Sequence, residues 1–130
     1  MKKIVVLLLF VISTSVVAEW TKACESGNGN MTVYADIQTI TKKENKVRIW
    51  VLFDFKLVQK FEKYRFLSSV IQDEYDCEEK TQRPLETYWF SENMKGGEIV
   101  VHSDHKKNKP ESIMPGTPNL ILFNIACGKQ

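Results

Sequence analysis

The chain has 130 residues, 43% hydrophobic and 26% charged, with three cysteines. That length builds one core and leaves no room for a second, and the composition is too apolar and aromatic for a disordered chain. The formal charge is +2, but Lys2 and Lys3 fall in a segment expected to be removed; without them the 18 basic residues become 16, equal to the 16 acidic ones. A neutral chain argues against a nucleic-acid binder, which carries a basic excess on one face.

Met1-Lys2-Lys3 is a basic start, and Ile4 to Ile12 is an unbroken apolar run. Ser13-Thr14-Ser15 and Val16-Val17-Ala18 follow, with small or short residues at the −3 and −1 positions of a cleavage site. The run is too short to span a bilayer. Residues 1–18 are therefore expected to be a secretory signal cleaved after Ala18, and residues 19–130 a single exported domain. Cys24 is preceded by Thr21-Lys22-Ala23, which does not make a lipid-attachment motif. The export reading places the protein in the periplasm or at the outer membrane or cell surface, with no membrane span.

Glu25 to Asn30 has the composition of a loop. Met31 to Ile37 alternates as a half-buried strand, with Met31, Val33, Ala35 and Ile37 on one face and Thr32, Tyr34 and Asp36 on the other. Thr41 to Asn45 is a polar turn. Val47 to Phe55 is the clearest strand: Val47, Ile49, Val51, Phe53 and Phe55 share one face, and Arg48, Trp50, Leu52 and Asp54 share the other. The mixed second face suits a central strand. Tyr64 to Cys77 is a long extended stretch in which Asp73 shares parity with Leu67, Ile71, Tyr75 and Cys77, so Asp73 is expected at a sheet edge or beside a bulge.

Leu85 to Phe90 is a further strand, Asn93 to Gly97 a turn and Glu98 to His102 a short strand. Residues 103–116 read as loop. Thr117-Pro118 opens a helix with Thr117 as cap, Leu120, Phe123 and Cys127 form its apolar stripe, and Gly128 ends it. Consecutive strands joined by short turns pair antiparallel, and a helix with one apolar stripe packs on their sheet. The class is α+β: about five or six antiparallel strands with a C-terminal helix packed on them.

In an oxidising compartment two of the three cysteines pair. Cys127 sits on the helix stripe and Cys77 at a strand end, so a bridge between them would tether the helix to the sheet. A bridge from Cys24 to either one is the alternative. With Cys77 joined to Cys127, Cys24 is a free thiol, expected to be exposed and mobile and able to cross-link a homodimer.

The order of these elements resembles the surface-adhesin protein E family of small exported Gram-negative proteins. The resemblance rests on Val33-Tyr34-Ala35-Asp36, Val47 to Leu52, Leu67-Ser68-Ser69, Glu74-Tyr75-Asp76-Cys77 with Arg83 after it, Ser91 to Gly97, and Pro115-Gly116-Thr117 leading to Cys127. It implies an antiparallel sheet with a C-terminal helix held by a disulfide. It also implies an adhesin that binds host extracellular-matrix or plasma proteins, a role in binding haem, and dimer formation by surface contact.

Other chemistry is sparse. His102 and His105, spaced H-x-x-H, are candidate haem or metal ligands, although the basic run from Lys106 disfavours a cation and a solvated hairpin tip is the plainer reading. Asp73, Glu74, Asp76, Glu78 and Glu79 read as a solvated strand end, without the ligand spacing of a calcium loop. No G-x-S-x-G turn accompanies the histidines, and paired cysteines are not nucleophiles. The sequence therefore points away from an enzyme and toward a binding protein without a resident cofactor. Its alternatives are a periplasmic haem or small-ligand binder and a structural envelope protein. Of the aromatic residues, Trp89 is expected on the opposite sheet face from Tyr88 and Phe90.

Overall fold

A computed structural model describes residues 19–105 and 107–128. The expected leader, residues 1–18, lies outside the described residues. Seven strands and one helix follow in chain order: β1 (Thr21–Ser26), β2 (Met31–Lys43), β3 (Lys46–Phe61), β4 (Tyr64–Asp76), β5 (Thr81–Phe90), β6 (Ile99–Asp104), β7 (Glu111–Ser112) and α1 (Pro118–Ala126). β1 to β6 form an antiparallel meander in sequence order, and β7 pairs the start of β5. From β1 to β6 each neighbour in the chain is a neighbour in the sheet, as short turns require.

Two expected loops carry strands. Glu25 and Ser26 belong to β1, which pairs with β2 through Lys22 opposite Tyr34 and Cys24 opposite Val33. Residues 103–116 contribute the end of β6 and all of β7. These are edge elements with little apolar alternation; backbone pairing rather than side-chain burial holds them, so periodicity does not reveal them.

One face of the sheet carries Val33, Ala35, Val47, Ile49, Val51 and Tyr75, buried beneath α1. The buried helix residues are Leu122, Phe123 and Ala126, with Leu120 and Cys127 at the margin. The stripe is thus rotated from the expected Leu120–Phe123–Cys127 line, because α1 lies over β1, β2 and β3, with Tyr75 of β4 meeting Phe123 edge-on at 6.0 Å. Pro118 opens the helix, but the Thr117 hydroxyl donates to the Met114 carbonyl (2.6 Å) and makes no capping bond. The Cys77–Cys127 disulfide joins the end of α1 to the chain just after β4.

Asp73 is explained by a bulge. The register between β4 and β5 shifts between Gln72 and Asp73, with Gln72 opposite Glu86 and Asp73 opposite Pro84. Asp73 keeps the parity of Tyr75 and is 2% exposed, with its Oδ1 accepting a 2.7 Å bond from the Gln82 side-chain amide. The expected solvated acidic strand end is therefore wrong for Asp73 and for Glu74, which is 7% exposed on the other face. Asp76 fits it better: its Oδ1 accepts the backbone N–H groups of Glu78 and Glu79 at the turn.

Candidate functional site

The face away from the helix is built around Leu52, Val70 and Phe90, with Trp20, Tyr34, Trp50 and Tyr88 packed against them. Strand alternation explains the set, since Tyr34, Leu52, Val70 and Tyr88 stand opposite one another across four strands. Trp50 and Tyr88 lie 6.2 Å apart, tilted by 41°. Between them and Trp20 opens a cleft of about 420 Å³, lined also by Asp36, Thr39, Lys95 and Ile99. That volume falls in the range of small-ligand sites.

Asp36 stands directly across from Trp50 and is 6% exposed. Its carboxylate accepts one backbone bond, from Gln38 N–H at 3.2 Å. The neighbouring Thr39 hydroxyl donates to the Asp36 carbonyl (2.6 Å) and accepts from Trp50 N–H (3.1 Å).

The far wall is the turn from Ser91 to Gly97. Met94 and Lys95 both adopt left-handed backbone, with φ of 54° and 64°. Such residues persist only where their surroundings hold them. Here Met94 N–H donates to Asp54 Oδ1 (2.8 Å), Lys95 N–H donates to the Ser68 hydroxyl (3.0 Å), and the Asn93 amide donates to the Phe55 carbonyl (2.7 Å). Gly97, at φ +72°, has no room for a side chain, because a Cβ would meet Ser91 Oγ at 2.1 Å. The turn places Lys95 against the cleft.

Further along this face Glu74 accepts 3.0 Å bonds from Arg48 and from Arg83. Burial pushes its carboxyl up, but the two guanidinium groups together outweigh that and hold it below its ordinary value.

The histidines do not converge. The exposed His102 ring stacks on Tyr88 at 4.2 Å, whereas His105 Nε2 lies 3.0 Å from the Thr87 hydroxyl. Tyr88 and Thr87 are consecutive on β5, so they point to opposite faces of the sheet. The two histidines therefore point to opposite faces of the sheet: His102 lies in β6, within the short strand expected there, and His105 just beyond its end. Neither histidine lines the cleft, so the pair does not fit axial ligation of a haem there. No group of three His, Cys, Asp or Glu able to hold a metal occurs among the described residues.

Cys24 has no disulfide partner, but it is half-buried and packs against the core beneath α1. The expected exposed, mobile thiol is corrected: pairing of β1 with β2 brings this residue into the sheet. Burial pushes its thiol pKa up.

A second surface lies at the tip of the β3–β4 hairpin. Pairing with β2 ends at Phe55 and pairing with β5 ends at Ser68, and from Gln59–Phe66 to Phe61–Tyr64 the hairpin pairs only with itself. Leu57, Val58 and Phe61 are 63%, 50% and 57% exposed. Trp89, on the helix side of the sheet as expected, braces the hairpin: it stacks on Phe66 at 4.2 Å and meets Phe61 edge-on at 5.7 Å.

The profile described as surface-adhesin protein E matches residues 20–128. The chain belongs to the surface-adhesin protein E family. Among solved structures it is similar to protein E of Haemophilus influenzae, with 17% identity, a TM-score of 0.61 and 88% of each chain covered. A crystal structure of protein E from non-typeable Haemophilus influenzae gives 18% identity and a TM-score of 0.53, covering 88% of this chain and 79% of that one. At that identity the likeness establishes the shared fold. A comparison with curated proteins finds no match. No helix among the described residues is long and apolar enough to cross a membrane.

The sequence reading missed the cleft. Neither periodicity nor resemblance points to Trp20, and Lys95 stands only within a stretch resembling the family. The alternation of β2 does place Asp36 with Tyr34, and that of β3 puts Trp50 on a polar face. The usable signal is a carboxylate and a tryptophan on the facing sides of neighbouring strands.

Proposed function

We propose that this member of the surface-adhesin protein E family is an exported, non-enzymatic adhesin that recognises a host extracellular-matrix or plasma protein. Family membership over residues 20–128 carries the reading. The apolar hairpin tip supports it, because Leu57, Val58 and Phe61 are each half or more exposed on one hairpin, and clustered exposed apolar residues mark interaction sites. In this reading the leader is cleaved after Ala18, residues 19–130 act as one domain, and no resident cofactor takes part. Solid-phase binding to immobilised matrix and plasma proteins tests it. Leu57→Asp and Phe61→Asp are expected to abolish binding while leaving the circular dichroism spectrum unchanged. Wild-type protein that binds none of these proteins overturns the reading. The same tip would serve a second copy of the chain, and analytical ultracentrifugation separates self-association from host binding.

A second reading, a small-ligand binder, is favoured by the aromatic cleft with the buried Asp36. It replaces the His102–His105 loop as the place where such a ligand would bind. Perturbation of Trp20 and Trp50 fluorescence by a bound ligand, against an unperturbed Trp89, tests it.

A further inference from the structure

We propose that the cleft between Trp20, Trp50 and Tyr88 binds a choline-phosphate group, with the quaternary ammonium against the aromatic faces and Asp36, and the phosphate at Lys95. The proposal rests on the second reading above, that the cleft is a ligand site, and names the chemistry of its ligand.

The first step is the carboxylate. Asp36 is more than nine-tenths buried, lines the cleft, and has no cationic side-chain partner among the described residues. A carboxylate lining an aromatic cleft, with a backbone N–H as its hydrogen-bond partner, would attract a cation that enters there. The second step is the walls. Trp20, Trp50 and Tyr88 line the cleft, Tyr88 with one face covered by His102, and aromatic rings attract a cation most strongly once it is stripped of water.

The third step decides between cations. A primary ammonium has three N–H donors and needs acceptors for them. The Thr39 hydroxyl is already engaged twice, which leaves the Asp36 carboxylate as the main side-chain acceptor facing the cleft. A quaternary ammonium has no N–H to satisfy and loses nothing against aromatic faces. The fourth step is Lys95. It is a lining residue of the same cleft and forms no ion pair among the described residues. The Ser91–Gly97 turn holds its backbone in a strained conformation. An exposed lysine whose backbone is held at the edge of a cleft that also carries a carboxylate suits a zwitterion better than a simple cation. Choline phosphate has that charge order.

The three tryptophans supply the test, because Trp89 lies on the other face as an internal control. The indole N–H signals of the ¹⁵N-labelled full chain are followed during titration with choline phosphate, choline and inorganic phosphate. Choline phosphate is expected to shift Trp20 and Trp50 and leave Trp89 in place, choline to do so more weakly, and phosphate alone not at all. Asp36→Asn is expected to weaken both choline ligands about tenfold. Lys95→Gln, an exposed change that keeps the fold, should reduce choline phosphate to the affinity of choline and leave choline itself unaffected. Phosphatidylcholine vesicles that shift the same signals identify a lipid head group as the source. Binding of soluble choline phosphate but not vesicles identifies a free or glycan-linked group; both support the proposal. Equal shifts with phosphate alone, or no shift with either choline ligand, overturn it. In the latter case a shift of Trp20 and Trp50 by the apolar dye anilinonaphthalene sulfonate preserves the ligand cleft and rejects only its choline chemistry. No shift with any probe rejects both.

Discussion

Asp73 and Glu74 are consecutive on β4, buried on opposite faces of the sheet, and shifted in opposite directions. Asp73 lies on the helix side with one hydrogen bond from Gln82, and burial pushes its carboxyl up to about 6. Glu74 lies on the cleft side between two guanidinium groups and is held below its ordinary value. One strand thus carries a carboxyl that prefers its proton next to one that prefers its charge. The difference comes from what stands opposite: Ile49 and Pro84 flank Asp73, whereas Arg48 and Arg83 flank Glu74.

Asp73 is expected to lower stability at neutral pH. Between its unfolded value of 3.8 and its folded value of about 6 the native state binds more protons, so stability falls as pH rises through that window. Asp73→Asn keeps the oxygen that Gln82 bonds and removes the charge. It is expected to raise the unfolding free energy at pH 7 by about 3 kcal/mol and to change little near pH 3.5. Urea unfolding at the two pH values checks this; equal effects at both would refute the assignment.

Glu74 works the other way. Its contribution is present above the unfolded value of 4.5 and is lost as pH falls through the lower folded value. Glu74→Gln is expected to cost about 1 kcal/mol at pH 7, because Arg48 is half exposed and solvent screens that pair. The cost should shrink in acid, the reverse of the dependence expected for Asp73→Asn. Thermal unfolding of the two variants between pH 3 and pH 7 shows whether the slopes have opposite sign.

The fold was largely legible because its core strands alternate cleanly. Val47 to Phe55 reads directly as the centre of β3, and the helix with Cys127 follows from Pro118 and Gly128. The edges were less legible. β1 and β7 are held by backbone bonds that leave no apolar period, and Cys24 was misplaced with β1. The separation of the two histidines follows from strand geometry: residues three apart on an extended chain point to opposite faces, so His102 meets Tyr88 and His105 meets Thr87. The cleft depends on cross-strand register, which brings Asp36 to Trp50 over a sequence distance that no local pattern spans.

The Cys77–Cys127 bridge closes a separation of 50 residues. In the chain-entropy model a loop of that length is worth about 4 kcal/mol. The nine-residue α1 is too short to persist alone, so its helicity depends on docking. The double variant Cys77→Ser with Cys127→Ser is expected to lower the melting temperature strongly. Amide exchange should rise first at Leu122, Phe123 and Ala126, while β3 and β4 keep their protection. Loss of protection throughout the sheet at the same rate would show that the bridge supports more than the helix.

Cys24 is expected to behave as a packed residue rather than a linker. Its position opposite Val33, its half-burial and its raised pKa all reduce the thiolate exposed to a reagent at pH 7. Native protein should therefore react with a maleimide far more slowly than protein in urea. It should also run chiefly as a monomer on a non-reducing gel after air oxidation. Cys24→Ser should cost about 1 kcal/mol, since it places a hydroxyl against Val33 and the residues beneath α1. Equal labelling rates in the folded and unfolded states, with a dimer band that Cys24→Ser removes, would mean that β1 detaches readily. The strand would then be a mobile edge, and its pairing with β2 would contribute little to the fold.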